Sequence, residues 1–338
     1  MIPRSQLWLI AVLAVAGGLA AFSGRMDPYL LDVAMGVGIN LILAVSLNLI
    51  NGFTGQFSLG HAGFMAVGAY TSATLTTTLA SKLLPLVGGQ PWILFPISLV
   101  MGGLLAALAG LAVGAPSLRL KGDYLAIVTL GFGEIIKVVL QNMDFVGGAR
   151  GLTGIPSGIP PYTQIVTFWT IAGAAITVYV VWGLLNSTYG RGFLAVADDE
   201  IAAESMGLNT TRYKITAFVV GSFFAGVAGG LYAHVKGYIN PTGFDFNKSI
   251  EIVVIVILGG MGRHVGVIIA AIVLTLLPEG LRELGNLKLA NPFKPGTIVY
   301  LEWIKDIRPI LYALLLIILM LTRPQGLFTW PLWKKKSA

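Results

Sequence analysis

The sequence predicts an all-α polytopic membrane protein with about eight to ten transmembrane or re-entrant helices. Three observations carry this. The 338 residues are 56% hydrophobic and only 11% charged. The mean hydropathy is +0.82. The apolar residues lie in long runs separated by short polar segments. This composition excludes an ordinary soluble domain and a disordered chain.

The 43 glycines fit close helix packing and broken helices better than flexible linkers. The net charge of +7 does not point to nucleic acid, because no dense basic patch lies outside Lys334-Lys335-Lys336. A positive excess is what cytoplasmic loops of membrane proteins supply. With no cysteine there is no disulfide, no thiolate chemistry and no Cys-based metal site. His61, His234 and His264 are scattered and form no ligand cluster, so no metal or catalytic centre is expected.

A span needs roughly 17–25 mainly apolar residues. The start has a basic Arg4, an apolar core and then small residues, as a signal peptide would. The run Leu7 to Phe22 is long enough to be kept as a first span, 7–23. Further spans are read at 30–50, 60–79, 92–114, 124–141, 165–185, 215–236 and 307–323. The region 250–278 is too long for one span and is interrupted by Gly259-Gly260-Met261-Gly262-Arg263-His264. Two short helices meeting at a polar turn are expected there.

The positive-inside rule tests the map. With the 186–214 loop (Arg191, Arg212, Lys214) in the cytoplasm, Arg4, Arg119, Lys121, Arg263 and the lysine tail also fall inside. The Gly/Pro-rich loop 143–161 falls outside. Trp330 and Trp333 beside the tail suit an aromatic belt. About ten segments with both ends cytoplasmic satisfy every clear cluster except 279–309. That stretch is basic (Arg282, Lys288, Lys294, Lys305, Arg308) yet falls outside. A weak echo links 51–70 and 259–277: each puts several glycines and one histidine before an apolar helix. Two related halves, with paired breaks marking a transport site, are one reading of it.

Four segments carry polar chemistry. In 51–70, Asn51, Thr54, Gln56, Ser58 and His61 sit at the edge of a span, where polar groups must be buried in protein or line a wet cavity. A tight helix crossing and a pore-lining break with Phe57 and Phe64 as apolar gates both fit. In 117–142, Asp123 follows Gly122 as a helix cap, and Glu134 and Lys137 share a helix face as an ion pair near the outer interface. Glu251 lies near the outer end of its span, where an ionisable group is a functional suspect but can also snorkel to water.

The fourth is a polar island, Tyr189 to Lys214. Asp198, Asp199 and Glu200 place acid in a first helical turn. Ala202-Ala203-Glu204 continue the helix, Gly207 suits the residue after its end, and Asn209-Thr210-Thr211 cap the next span. Leu194, Ala197, Ile201, Ser205 and Leu208 form a narrow apolar stripe. A helix lying on the membrane is one reading, but its acidity argues for docking on a soluble partner. No G-x-x-x-x-G-K-[ST], H-E-x-x-H or G-x-S-x-G occurs, so ATP hydrolysis, zinc proteolysis and ester hydrolysis lack motif support.

The stretches NGFTGQFSLGHAGFMAVGAY, LRLKGDYLAIVTLGFGEI and IEIVVIVILGGMG, in this order, resemble LivM-type permease subunits of bacterial ABC importers for branched-chain amino acids. The resemblance runs through roughly 30–325. It implies one transmembrane permease domain, 1–338, in the inner membrane, with both termini cytoplasmic. It implies a second related permease, two cytoplasmic ATPase subunits that use ATP and Mg, and a periplasmic binding protein delivering leucine, isoleucine or valine. This chain itself would bind no cofactor. The loop 186–214 would couple to the ATPase through a pattern of the type E-A-A-x-x-x-G, matched by Ile201-Ala202-Ala203-Glu204-Ser205-Met206-Gly207. Ile201 replaces the first Glu, and Glu200 stands one position earlier.

On that basis the expected coupling residues are Arg191, Asp198, Asp199, Glu200, Glu204 and Gly207. The expected path residues are Gln56, Phe57, Ser58, His61, Phe64, Glu251, Gly259 and Gly262. The stretch 279–309 is expected to be a partly amphipathic loop. A permease for urea or short amides is the alternative within the family. An ion-coupled secondary transporter, with Glu134 and Glu251 as its acidic candidates, is the alternative of another class.

Overall fold

A computed structural model describes residues 4–285 except 87, 118–119, 121 and 159, together with 288–290, 298–300, 314, 317, 318 and 321. Arg119, Lys121, nearly all of the expected span 307–323 and the lysine tail lie outside the described residues. The rest forms an all-α membrane protein. Its helices are α1 (Arg4–Phe22), α2 (Pro28–Asn51), α3 (His61–Thr76), α4 (Ala80–Leu86), α5 (Pro91–Ser117) and α6 (Asp123–Gln141). Then come α7 (Tyr162–Leu185), α8 (Thr188–Asp198), α9 (Glu200–Ser205), α10 (Thr210–Lys236), α11 (Phe246–Gly259) and α12 (His264–Gly285). Among the described residues, four are long and apolar enough to cross a membrane: α2, α5, α7 and α10.

The boundaries follow local chemistry. Asp27 caps α2 by accepting the Tyr29 N–H at 2.8 Å, with Pro28 at the first helical position. Asn209 caps α10 through the Arg212 N–H at 2.9 Å, and Gly237, at φ +69°, ends it. Asp245 caps α11 through the Lys248 N–H at 3.1 Å. The expected break in 250–278 is therefore present as the turn 260–263, and α11 gains length by starting at Phe246. One departure lies in 279–309. Lys288–Ala290 (β1) and Ile298–Tyr300 (β2) pair antiparallel inside what the sequence presents as a loop.

The core is built where α3, α5 and α10 cross. Gly68, Gly102 and Gly226 meet there so closely that a Cβ on Gly68 would lie 2.1 Å from the Gly226 carbonyl oxygen. Small residues at such crossings let backbones approach, the main source of helix association in lipid. Opposite this crossing α5 exposes Ile97, Val100, Leu104, Leu108 and Leu111, an unbroken apolar face suited to lipid. The bundle has two distinguishable ends. At one, Lys236 pairs with Asp32 at 3.0 Å, joining the end of α10 to the start of α2. At the other, the end of α2, the start of α10, the polar island and the α11–α12 turn come together.

Candidate functional site

The polar island folds as two helices with a corner between them. Ser187 caps α8 by accepting the Tyr189 N–H at 3.2 Å. Phe193 and Val196 turn inward from α8 and are buried. The single helix expected through 194–208 is interrupted at Asp199, which is extended (φ −156°). Its carboxylate accepts the N–H groups of Ile201 at 2.9 Å and Ala202 at 3.1 Å. A side chain that offers the backbone this alternative starts a new helix instead of continuing the old one. Gly207, at φ +83°, ends α9, and its N–H reaches the Glu204 carbonyl at 2.9 Å.

The acids of this loop divide by role. Glu200 is paired with Lys214 at 2.6 Å, and the Lys214 side chain is only 8% exposed. Glu204 accepts the Thr210 hydroxyl at 2.7 Å. These two carboxylates tie α9 to the first two turns of α10. Arg191 and Asp198 are exposed. So is most of the predicted apolar stripe: Leu194, Ala197, Ile201 and Ser205 are exposed, with Ile201 at 72% and the neighbouring Met206 at 83%, while Leu208 is half-buried. The Glu200–Lys214 pair gives a first prediction. Glu200→Ala leaves a nearly buried ammonium without its partner and is expected to destabilise the chain by on the order of 3 kcal/mol. Adding Lys214→Met is expected to restore most of the loss, as read by thermal unfolding in detergent.

The segment 51–60 between α2 and α3 packs directly beneath this loop. Asn51 Oδ1 accepts the Ser58 N–H at 3.2 Å. Gly55, at φ +65°, lies beside Ala197, whose Cα would stand in ordinary contact, 3.4 Å, with a Cβ at that position. The second break joins the first. Gly262 donates its N–H to Asn48 Oδ1 at 2.9 Å. A Cβ on Gly52 would lie 2.1 Å from that same Gly262 nitrogen. The two glycine-rich turns are thus one packed unit at the island's end of the bundle. A polar cavity of about 200 Å³ lies between the unit and the island, lined by Thr54, Gln56, Asp198, Asp199, Glu200 and Lys214. The Gln56 side chain is 4% exposed, and its amide has no hydrogen-bond partner.

The expected path residues do not form one surface. Gln56, Ser58 and Gly262 gather at the packed turns. His61 is fully buried, with Nε2 3.0 Å from Ser46 Oγ. Phe64 is in the core, edge-on to Phe218 at 5.5 Å. Gly259 lies under Val267, whose Cα would be 2.5 Å from an added Cβ. Phe57 is half-buried. Glu251 stands apart, exposed and paired with Lys248 at 3.0 Å. Sequence reasoning missed Asn48, the residue that ties the two turns together. Its signal was available: a polar side chain one helical turn before Asn51 at the end of α2.

Comparison with known proteins places this geometry in context. The family described as "Branched-chain amino acid transport system / permease component" matches residues 29–321. A similar protein is the high-affinity branched-chain amino acid transport system permease protein LivM of Salmonella typhimurium, at 33% identity over 99% of this chain and 78% of that one. The probable branched-chain amino acid transport permease protein LivM of Methanocaldococcus jannaschii is 26% identical over 86% of this chain and 90% of its own length. The permease protein LivH of Salmonella typhimurium is 23% identical over 69% of this chain and 78% of its own.

Proposed function

The chain belongs to the branched-chain amino acid transport permease family, and from that membership we propose that it is one of two membrane subunits of an ATP-driven importer for leucine, isoleucine and valine. The second subunit is a related permease. Two cytoplasmic ATPase subunits bind and hydrolyse ATP with Mg, and a periplasmic protein delivers the substrate. The complex sits in the inner membrane of a bacterium, with 186–214 and both termini in the cytoplasm.

The observation that carries the reading is the contact between the polar island and the α2–α3 turn, which itself packs on the α11–α12 turn. The exposed apolar residues of α8 and α9 form the face that docks on the ATPase. At the edge of that face, Ala197 lies beside Gly55, and the α2–α3 turn in turn holds the α11–α12 turn through Asn48 and Gly52. Closure of the ATPase dimer moves the island, and the packed turns pass that movement to α2, α3, α11 and α12. ATP biases the equilibrium between outward and inward states through this connection, as any ligand must act by differential binding. Of the acidic candidates for ion coupling, Glu251 is exposed near the start of α11 and already holds Lys248, which favours this over a secondary transporter.

The test is leucine uptake into proteoliposomes with and without the ATPase subunits. Uptake is expected only with those subunits, the binding protein and ATP together. Uptake driven by a proton or sodium gradient alone overturns the proposal.

A further inference from the structure

Two helices of spanning length carry an i,i+3 ion pair in their second half: α12, with Glu279 and Arg282, and α6. Glu134 and Lys137 of α6 form an i,i+3 ion pair, with side chains 40% and 20% exposed. Helix α6 has 19 residues, yet it is not among the helices apolar enough to cross a membrane. Its inner face is fixed on α3: the Leu59 N–H reaches Thr129 Oγ1 at 3.0 Å, and a Cβ on Gly63 would lie 2.9 Å from the Gly133 Cα. Its outer face carries exposed Ile127, Ile135 and Val138. Gly131 on that face has nothing within 4 Å of an added Cβ. The exposed face of α5 has no such charge.

Charged side chains in a spanning segment face a protein interior or a water-filled cavity rather than lipid. Snorkelling does not account for this pair. Helical side chains tilt toward the N-terminus. The start of α6 is at the island end, because Gly122 and Leu125 line the same cavity as Asp198. By reaching back to Glu134, Lys137 therefore points deeper into the bundle, away from the nearer water at the far end of α6.

We propose that the outward face of α6 borders the aqueous path, and that Glu134 and Lys137 meet the two opposite charges of a passing amino acid. This rests on the importer reading above. Glu134 takes the α-ammonium and Lys137 the α-carboxylate. The pair and the zwitterion are each neutral overall, so exchanging partners adds no net charge to the path. Isoleucine and valine side chains on either side of the pair suit an aliphatic substrate. Urea or an amide carries no formal charge to exchange with either partner.

The natural sequence has no cysteine, so single cysteines report access cleanly on this chain. In the full complex, Ile127→Cys, Gly131→Cys and Val138→Cys are expected to react with a charged, membrane-impermeant thiol reagent. Val100→Cys, Leu104→Cys and Leu108→Cys of α5 are not. Excess leucine with the binding protein is expected to slow the α6 reactions. Glu134→Gln and Lys137→Gln are each expected to cut leucine uptake at least tenfold while the complex still assembles. The proposal is overturned if the α6 positions react no faster than those of α5, as they would when covered by lipid or by the second permease. Wild-type uptake in both Gln variants also overturns it. A wild-type complex that takes up no leucine with ATP sinks the importer reading, whereas uptake with an unreactive α6 sinks only this inference.

Discussion

Gly68→Val is expected to abolish the folded chain. A Cβ at position 68 would lie 2.1 Å from the Gly226 carbonyl oxygen and 2.2 Å from its Cα. Both obstacles are backbone, so no rotamer change relieves them. From the third side, a Cβ on Gly102 would already lie 2.8 Å from the Gly68 carbonyl oxygen. Helices α3, α5 and α10 would have to separate, and Ala69, Leu99 and Ala225, all buried, would lose their packing. Overpacking usually costs about 1–3 kcal/mol when side chains can shift. Here they cannot, and in lipid no hydrophobic force between helices offsets lost contact. The variant is expected to elute as aggregate on detergent size exclusion, with Gly68→Ala in between. Gly183→Ala, with open space around the new methyl, is expected to be neutral or slightly stabilising. A monodisperse Gly68→Val with the wild-type unfolding temperature would refute the account of the crossing.

The sequence makes the helices and their ends legible because those are local properties. Asp245, Asn209 and Gly207 cap or end helices as their residue types predict, and the glycine run 259–262 breaks an apolar stretch too long for one span. The tertiary joints are not legible in the same way. Nothing in the local pattern says that Gly52 rests on Gly262, because close approach between distant glycines leaves no periodic trace. The Glu200–Lys214 pair joins two helices across a turn, and its partners carry no spacing signal. Phe64 beside a glycine fits a gate as well as a core residue, and only the position of Phe218 decides between those neighbours. Asp199 shows a limit of propensity reasoning: three acids in a row look like one first turn, but the middle one starts a helix of its own. The strands at 288–300 are three residues each, too short for alternation to mark them.

The largest functional effect is expected from Ile201→Asp combined with Met206→Asp. Both side chains are exposed at the island's outer surface, at 72% and 83%. Fully burying an aliphatic side chain is worth about 1.5–3 kcal/mol. Losing two such contacts at a docking face corresponds to on the order of a hundredfold or more in affinity, at about 1.4 kcal/mol per factor of ten. Aspartate also brings a charge that must be desolvated against the partner. Exposed substitutions of this kind change the stability of the chain itself by only about 0.5 kcal/mol. The two effects therefore separate. The double variant is expected to keep its unfolding temperature, fail to co-purify with the ATPase subunits and lose at least tenfold of ATP-driven uptake. Glu204→Arg tests a different element, because Glu204 already holds Thr210 at 2.7 Å; it loosens the joint to α10 and should lower the unfolding temperature as well. Ile201 replaces a glutamate of the related pattern, so a docking face that depended on that acid would have lost its contact here. A face that depends on apolar burial gains one. Co-purification that survives both aspartates would leave the ATPase to dock elsewhere on the loop.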